Sequence, residues 1–206
     1  MEWARAQPIR TERLELEPLS VEHADAMVDV LASPSLHTFI GGEPPSHAEL
    51  EARYRRQSVG ASPDGSQGWL NWVVRERSGP SVGTVQATVR ATLPATVHTA
   101  PDGDSPHDEV PGGLQADVAW VIGPASQGRG YATEAAAAMV EWLVAGEGRP
   151  LDAAGIGITR VVAFIHPDHV ASAAVAAHLG LAPTPELEDG EIRWVRDVPA
   201  DPGDGS

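Results

Sequence analysis

The stretch from Val118 to Leu143, VAWVIGPASQGRGYATEAAAAMVEWL, has the residue types and spacing to bind an anion. Val118, Trp120 and Ile122 alternate and stop at Gly123-Pro124, the pattern of a strand that ends there. Ala132, Ala135, Ala136, Met139, Val140 and Leu143 recur at three and four, the apolar stripe of a helix that stops at Gly146. Between the two lie Gln127, Gly128, Arg129, Gly130 and Tyr131. The first N–H groups of a helix have no partner within it and sit at its positive end. A glycine turn lets an anion approach them, because glycine has no Cβ in the way. The segment therefore predicts a phosphate or pyrophosphate held by main-chain N–H groups.

The type of phosphate is narrowed by what is missing. A Walker loop needs a lysine, and all 14 cationic residues are arginine. The dinucleotide fingerprint needs a third glycine where Thr133 stands. What fits is Gln127-x-x-Gly130-x-Ala132, which resembles the acyl-CoA motif R/Q-x-x-G-x-G/A of the GNAT acetyltransferases. Tyr131-Ala-Thr-Glu-Ala is similar to wording in the branch that acetylates ribosomal-protein N-termini. So are Arg13-Leu14-x-Leu16-x-Pro18-Leu19 and Phe39-Ile40-Gly41-Gly42. The resemblance covers about residues 8 to 197.

That resemblance implies an N-acetyltransferase using acetyl-CoA as cosubstrate. Gln127, Gly128, Arg129, Gly130, Tyr131, Ala132 and Thr133 would hold its phosphates. Main-chain N–H groups of Trp120, Val121 and Ile122 would meet the thioester and pantetheine. Asp117, where many relatives carry Glu, is the implied base, and Ser172 the implied donor to the leaving thiolate. Relatives commonly read P-x-N-x-x-S at the last helix; here His169 stands for Asn and Ser172 is kept. His37 and Glu43 fall in the acceptor-side loop. The acceptor is a primary amine, either a peptide N-terminus or a small molecule. The alternative is a non-catalytic acyl-CoA-binding or regulatory module on the same fold.

Composition sets further limits. A chain of 206 residues with 42% hydrophobic residues suits one domain, expected over 1–198 with a loose tail at 199–206. With no cysteine there is no acetyl-cysteine, so transfer is expected to be direct, within a ternary complex. A formal charge of −15 disfavours nucleic acid and favours cationic partners. No apolar run suits a membrane span or signal peptide, so a cytoplasmic protein is expected, monomer or homodimer. His98 and His107 with Asp102, Asp104 and Asp108 lack ligand spacing, and no metal is expected.

These residues need a scaffold. Thr11–Leu19 reads as a strand. Ser20 heads a helix over Val21–Ala32, and Ser46-x-x-Glu49 is a capping box for a helix to about Val59. Residues 34–45 read as a loop. Trp69–Glu76 and Val82–Thr92 read as a hairpin, with Gly83 marking a bulge or close approach. Residues 93–113 read as a long hairpin loop. Ile158–Ile165 is an apolar strand. A helix capped by Asp168 and stopped by Gly180 follows, then a strand over Glu191–Arg196. The expected fold is α/β, a single GNAT-like domain with a central mixed, mostly antiparallel sheet flanked by helices.

Overall fold

Two leucines facing one way, Leu14 and Leu16, start the sheet, and both are fully buried. The computed structural model describes residues 3–92, 95–96, 109–110, 112–151 and 155–199. The strands are β1 (Ile9–Arg10), β2 (Leu14–Pro18), β3 (Gln67–Glu76), β4 (Ser81–Thr92), β5 (Ala95–Thr96), β6 (Glu109–Val110), β7 (Gly113–Ile122), β8 (Ile158–Ile165), β9 (Ala182–Glu188) and β10 (Glu191–Asp197). The helices are α1 (Ala24–Val30), α2 (Pro34–Ile40), α3 (His47–Gln57), α4 (Tyr131–Ala145) and α5 (Val170–His178). Eight strands form one sheet in the order β1-β2-β3-β4-β7-β8-β10-β9. Only β7 and β8 run parallel in it; the other neighbours are antiparallel. The expected mixed, mostly antiparallel sheet is what forms.

Most expected elements are present. The β3–β4 hairpin, β8, the Ser46–Glu49 box on α3 and the stop at Gly180 stand as read. Thr92 pairs with Gly113, so residues 93–113 do bridge a hairpin. His98, His107, Asp102, Asp104 and Asp108 lie outside the described residues, as does the tail from 200. Four readings need correction. The loop at 34–45 contains α2, begun by Pro34 at a first-turn position where its missing N–H costs nothing. The helix after Ser20 enters through a 3-10 turn at Val21–His23, because His23 Nδ1 accepts the Ser20 N–H at 3.0 Å. The cap of α5 is His169, whose Nδ1 accepts the Ser172 N–H, and not Asp168. Residues 182–188 form β9, which the sequence reading left out.

The sheet has a core on each face. Even-numbered residues of β7, Leu114, Ala116 and Val118, pack with Ala135, Ala136, Met139 and Leu143 of α4. Alanines let that helix lie close on the strands. On the other face Met27 of α1 and Leu50 and Tyr54 of α3 pack with Val73. Odd-numbered β7 residues such as Asp117 and Val121 belong to this second face.

Gly83 is both of the things expected of it. The β3–β4 register shifts beside it, between Val74 and Arg75. A Cβ there would sit 2.1 Å from the Val121 carbonyl oxygen.

A second device ties α4 to the sheet edge. Glu134, in its first turn, accepts from the Arg13 N–H at 3.0 Å and Arg13 Nε at 2.6 Å, and from the Thr11 hydroxyl. Arg13 Nη1 also donates to the Arg129 carbonyl at 2.9 Å. Partial burial pushes the Glu134 pKa up, but the Thr11 and Arg13 hydrogen bonds outweigh it and hold it below the ordinary value of 4.5.

Gly83→Ala is expected to cost about 1–3 kcal/mol in urea unfolding, since the strands must part to admit the methyl; unchanged stability would show that they part freely. A lowered folded-state pKa stabilises above the unfolded value and is lost as pH falls through the folded one. Glu134→Gln should therefore be less stable than wild type at neutral pH, with the gap closing once pH falls below about 4.5. A gap that does not shrink at all on acidification would deny the clamp its charge.

Candidate active site

β7 keeps β4 beside it along its whole length but loses β8 partway. The β7–β8 ladder ends at Asp117↔Val162, while β8 continues to Ile165 against β10. From Val118 onward one edge of β7 is open. Main-chain groups of successive residues point to alternate sides of a strand. The Leu114 N–H donates to Gly157 on the β8 side, and the Gly123 N–H donates to Val82 on the β4 side. Val118, Trp120 and Ile122 therefore present main chain to the open edge, and Val121 presents its own to β4. Of the three N–H groups expected at the thioester, Trp120 and Ile122 face the split and Val121 does not. Val121 lines both chambers all the same.

Two cavities meet at this split. One, of about 440 Å³, is lined by Gln127, Gly128, Gly130, Tyr131, Ala132 and Thr133 with the first turns of α5. The other, of about 470 Å³, is lined by Thr84, Gln86, Thr88, Asp117 and Glu191 on the opposite face. Phe39, Trp120, Val121, His169 and Ser172 line both. Side chains from β7, α2 and α5 thus form a neck between two chambers.

The turn is built as an anion cradle. Gly128 and Gly130 have φ of 74° and 78°, a region that side chains rarely adopt. Nothing lies within 4 Å of where a Gly128 Cβ would be, so the main chain is open to a ligand there. Gln127 does not point its amide at that space; its Nε2 donates to the Ile122 carbonyl at 2.8 Å. It fixes the turn to the end of β7. Arg129 turns away, 3.1 Å from Glu76, and its side chain is about half exposed. Tyr131 lies under two guanidinium groups, with Arg13 at 5.0 Å and Arg129 at 6.0 Å from its ring. These contacts hold the entry to α4 rigid.

At the neck, burial pushes the His169 pKa below the usual imidazole value, against a main-chain hydrogen bond that raises it. Its ring packs at a tilt of 34° against Phe39, with centroids 4.2 Å apart. With Nδ1 accepting from the Ser172 N–H, the neutral ring carries its proton on Nε2. The Ser172 hydroxyl has no hydrogen-bond partner among the described residues and is free to donate.

Asp117 stands on the floor of the second chamber, mostly shielded. Arg90 Nη1 lies 2.5 Å from Oδ2, and Gln115 Nε2 donates to Oδ1 at 2.7 Å. Each oxygen keeps a lone-pair direction for a further donor. Sequence reasoning missed Arg90, because a diagonal pair across two strands leaves no local pattern. It also missed Glu134, although a first-turn acid and the arginine of Arg13-Leu14-x-Leu16 were both legible. Of the acceptor-loop candidates, Glu43 is exposed and lines neither chamber. His37 has both ring nitrogens 3.1 Å from carbonyls, of Gly41 and Leu31, and serves to hold α2.

No helix among the described residues is long and apolar enough to cross a membrane. No curated protein matches the chain. Among solved structures the fold is similar to that of RimL, a ribosomal L7/L12 alpha-N-protein acetyltransferase in complex with coenzyme A. The TM-score is 0.64 at 16% identity, covering 95% of this chain and 100% of that one. It is also similar to an acetyltransferase from Agrobacterium tumefaciens str. C58, with TM-score 0.60, 22% identity and 93% and 95% of the two chains covered. A third is the microcin C7 self-immunity acetyltransferase in complex with acetyl-CoA and AMP, with TM-score 0.62, 11% identity and 91% and 94% covered. At these identities the likeness concerns the fold. The family model of the acetyltransferase (GNAT) domain matches residues 13–182, which include the glycine turn, the split edge and α5, and the chain belongs to that family of acetyl-CoA-dependent acyltransferases.

Proposed function

We propose that this acetyltransferase moves an acetyl group from acetyl-CoA directly to a primary amine, with both substrates bound together. The observation that carries this reading is the neck: two chambers on opposite faces of the sheet meet at the open edge of β7. Bound acetyl-CoA supplies the acetyl group as a thioester. The chain's own part is to hold, orient and move protons.

Main-chain N–H groups over Gly128–Thr133 suit the pyrophosphate, and the open space at Gly128 matches that need. Arg129, as placed here, acts at most as a charge outside the chamber. Trp120 and Ile122 N–H groups at the open edge can donate to a carbonyl oxygen in the split and take up the charge that develops there. The Ser172 hydroxyl is positioned to give a proton to the departing sulfur, and the His169 Nε2–H offers a second donor at the neck. On the other side, Asp117 accepts a proton from the ammonium, directly or through one water. The amine nitrogen bonds to the acetyl carbon as the C–S bond breaks, and the second proton it loses replaces the one Ser172 gives to the sulfur. With no cysteine in the chain, a thiol-bound acetyl stage is excluded.

A peptide N-terminus and a small-molecule amine both fit this scheme. RimL is a ribosomal L7/L12 alpha-N-protein acetyltransferase, whereas the microcin C7 self-immunity acetyltransferase is in complex with acetyl-CoA and AMP. A chain of formal charge −15 suits a cationic acceptor of either kind, and it disfavours nucleic acid.

Two measurements test the scheme. Gly128→Ala should weaken acetyl-CoA binding in calorimetry while circular dichroism shows the fold intact; unchanged affinity would remove the turn from the site. Asp117→Asn should lower kcat/KM by about a hundred- to ten-thousand-fold at pH 7, the usual worth of a general base. Activity should recover partly at high pH, where free amine is abundant, with acetyl-CoA affinity unchanged. A fully active Asp117→Asn enzyme would assign the proton to another acceptor.

A further inference from the structure

The chamber on the Asp117 face has a lining that an amine alone does not require. Thr84, Gln86 and Thr88 occupy alternate positions on β4 and line it, and none of their side chains has a hydrogen-bond partner among the described residues. A smaller cavity of about 120 Å³ shares Arg53, Thr84, Gln86 and Val121 with this chamber. It is lined on one side by Arg53, Tyr54 and Gln57 of α3 and on the other by Asn71 and Trp72 of β3.

Two groups in this annex stand without partners. The Tyr54 hydroxyl belongs to a residue only 3% exposed, yet nothing accepts or donates to it. Burial pushes its pKa up to about 12, so it stays an O–H donor near neutral pH. A native fold seldom leaves such a hydroxyl unpaired unless water or a ligand completes it. Arg53 is the one arginine lining any of these three cavities. Arg53 is exposed on α3, and its side chain has no ion pair or hydrogen bond among the described residues. The acid one turn before it, Glu49, is committed to the Ser46 cap.

We infer that the annex binds a carboxylate carried by the acceptor, so that the substrate is an amine with a carboxylate a short distance away, as in an amino acid or an acidic peptide terminus. Arg53 supplies a planar fork that matches a carboxylate, and the amides of Asn71 and Gln86 and the Tyr54 hydroxyl supply neutral donors around it. Glu191 and Asp117 line the same chamber, so opposite charges are available for the two ends of a zwitterion. A single cation in a small cavity suits one negative charge better than a phosphate dianion. This inference rests on the amine-acceptor reading above and sharpens it to a substrate class.

The test compares matched acceptors, following release of free CoA. Leucine against leucinamide reads the amino-acid form. Peptide amides beginning Ala-Asp against Ala-Asn read the side-chain form. For one of the two pairs, wild type should favour the carboxylate member by about tenfold or more, the ratio a charge-assisted hydrogen bond supplies, mainly through KM. Arg53→Gln should bring that ratio near one, and Arg53→Lys should restore part of it. Binding of N-acetylleucine or N-acetyl-Ala-Asp amide, measured by calorimetry, should be lost in Arg53→Gln in the same way. Turnover without carboxylate preference in either pair, or a preference that survives Arg53→Gln, overturns the carboxylate site and leaves acetyl transfer standing. Arg53-dependent binding of an N-acetyl compound with no CoA release from any amine keeps the carboxylate site and overturns acetyl transfer. Absence of both overturns both.

Discussion

A strand that loses its neighbour must find other partners for its main chain, and this constraint organises the molecule. Inside a sheet every N–H and C=O is paired, and leaving one orphaned away from water is costly. β7 parts from β8 after Asp117 because β8 stays with β10, while Gly83 keeps β4 close enough to hold β7 on the other side. The parted edge is then closed at its far end by Gln127, whose amide takes the Ile122 carbonyl. Between those two points, the Val118 carbonyl and the Trp120 main chain face the split. The glycine turn, the neck and both chambers are arranged around that missing partner.

The charges follow a related logic. In this acidic chain several arginines are spent on carboxylates that fix geometry. Arg75 joins Glu15 and Glu17 across β2 and β3, Arg13 anchors Glu134, and Arg90 covers Asp117. Exposed pairs of this kind add little stability, about 0–1 kcal/mol each. Their value here is positional. The Arg13 pair sets where α4 begins, and hence where its free N–H groups point. The Arg90 pair holds Asp117 in one orientation on the chamber floor.

What was legible in the sequence was whatever depends on neighbours along the chain. The strand, turn and helix of Val118–Leu143 announce themselves through alternation, glycine and a helical stripe. β8 is a mostly apolar run, broken only by Thr159 and Arg160, with a loop before it and Pro167 after it, and its ends were read as they stand. The failures share a cause. α2 has seven residues, too few for a periodic stripe, and it is seated by the Phe39–His169 packing, a tertiary contact. β9 carries Pro183 and Pro185, which argue against a strand, but β9 is the sheet's outer edge, where a missing N–H is tolerated. The Val121 N–H was placed at the split because sequence gives no strand parity; only the ladder to β4 fixes it. The annex at Arg53 brings α3 to β3 and β4, a meeting no local pattern encodes.

The replacement of the expected asparagine by His169 can be argued from the same geometry. An asparagine at a helix start accepts a main-chain N–H with its oxygen and donates with its amide nitrogen. His169 does the first through Nδ1, and this leaves its proton on Nε2. Burial disfavours the charged ring, so the side chain works as an uncharged acceptor at one end and donor at the other. The larger ring also adds a flat face, and Phe39 of α2 takes it. The substitution therefore preserves the hydrogen-bonding logic of the helix start while tying the acceptor-side helix to it.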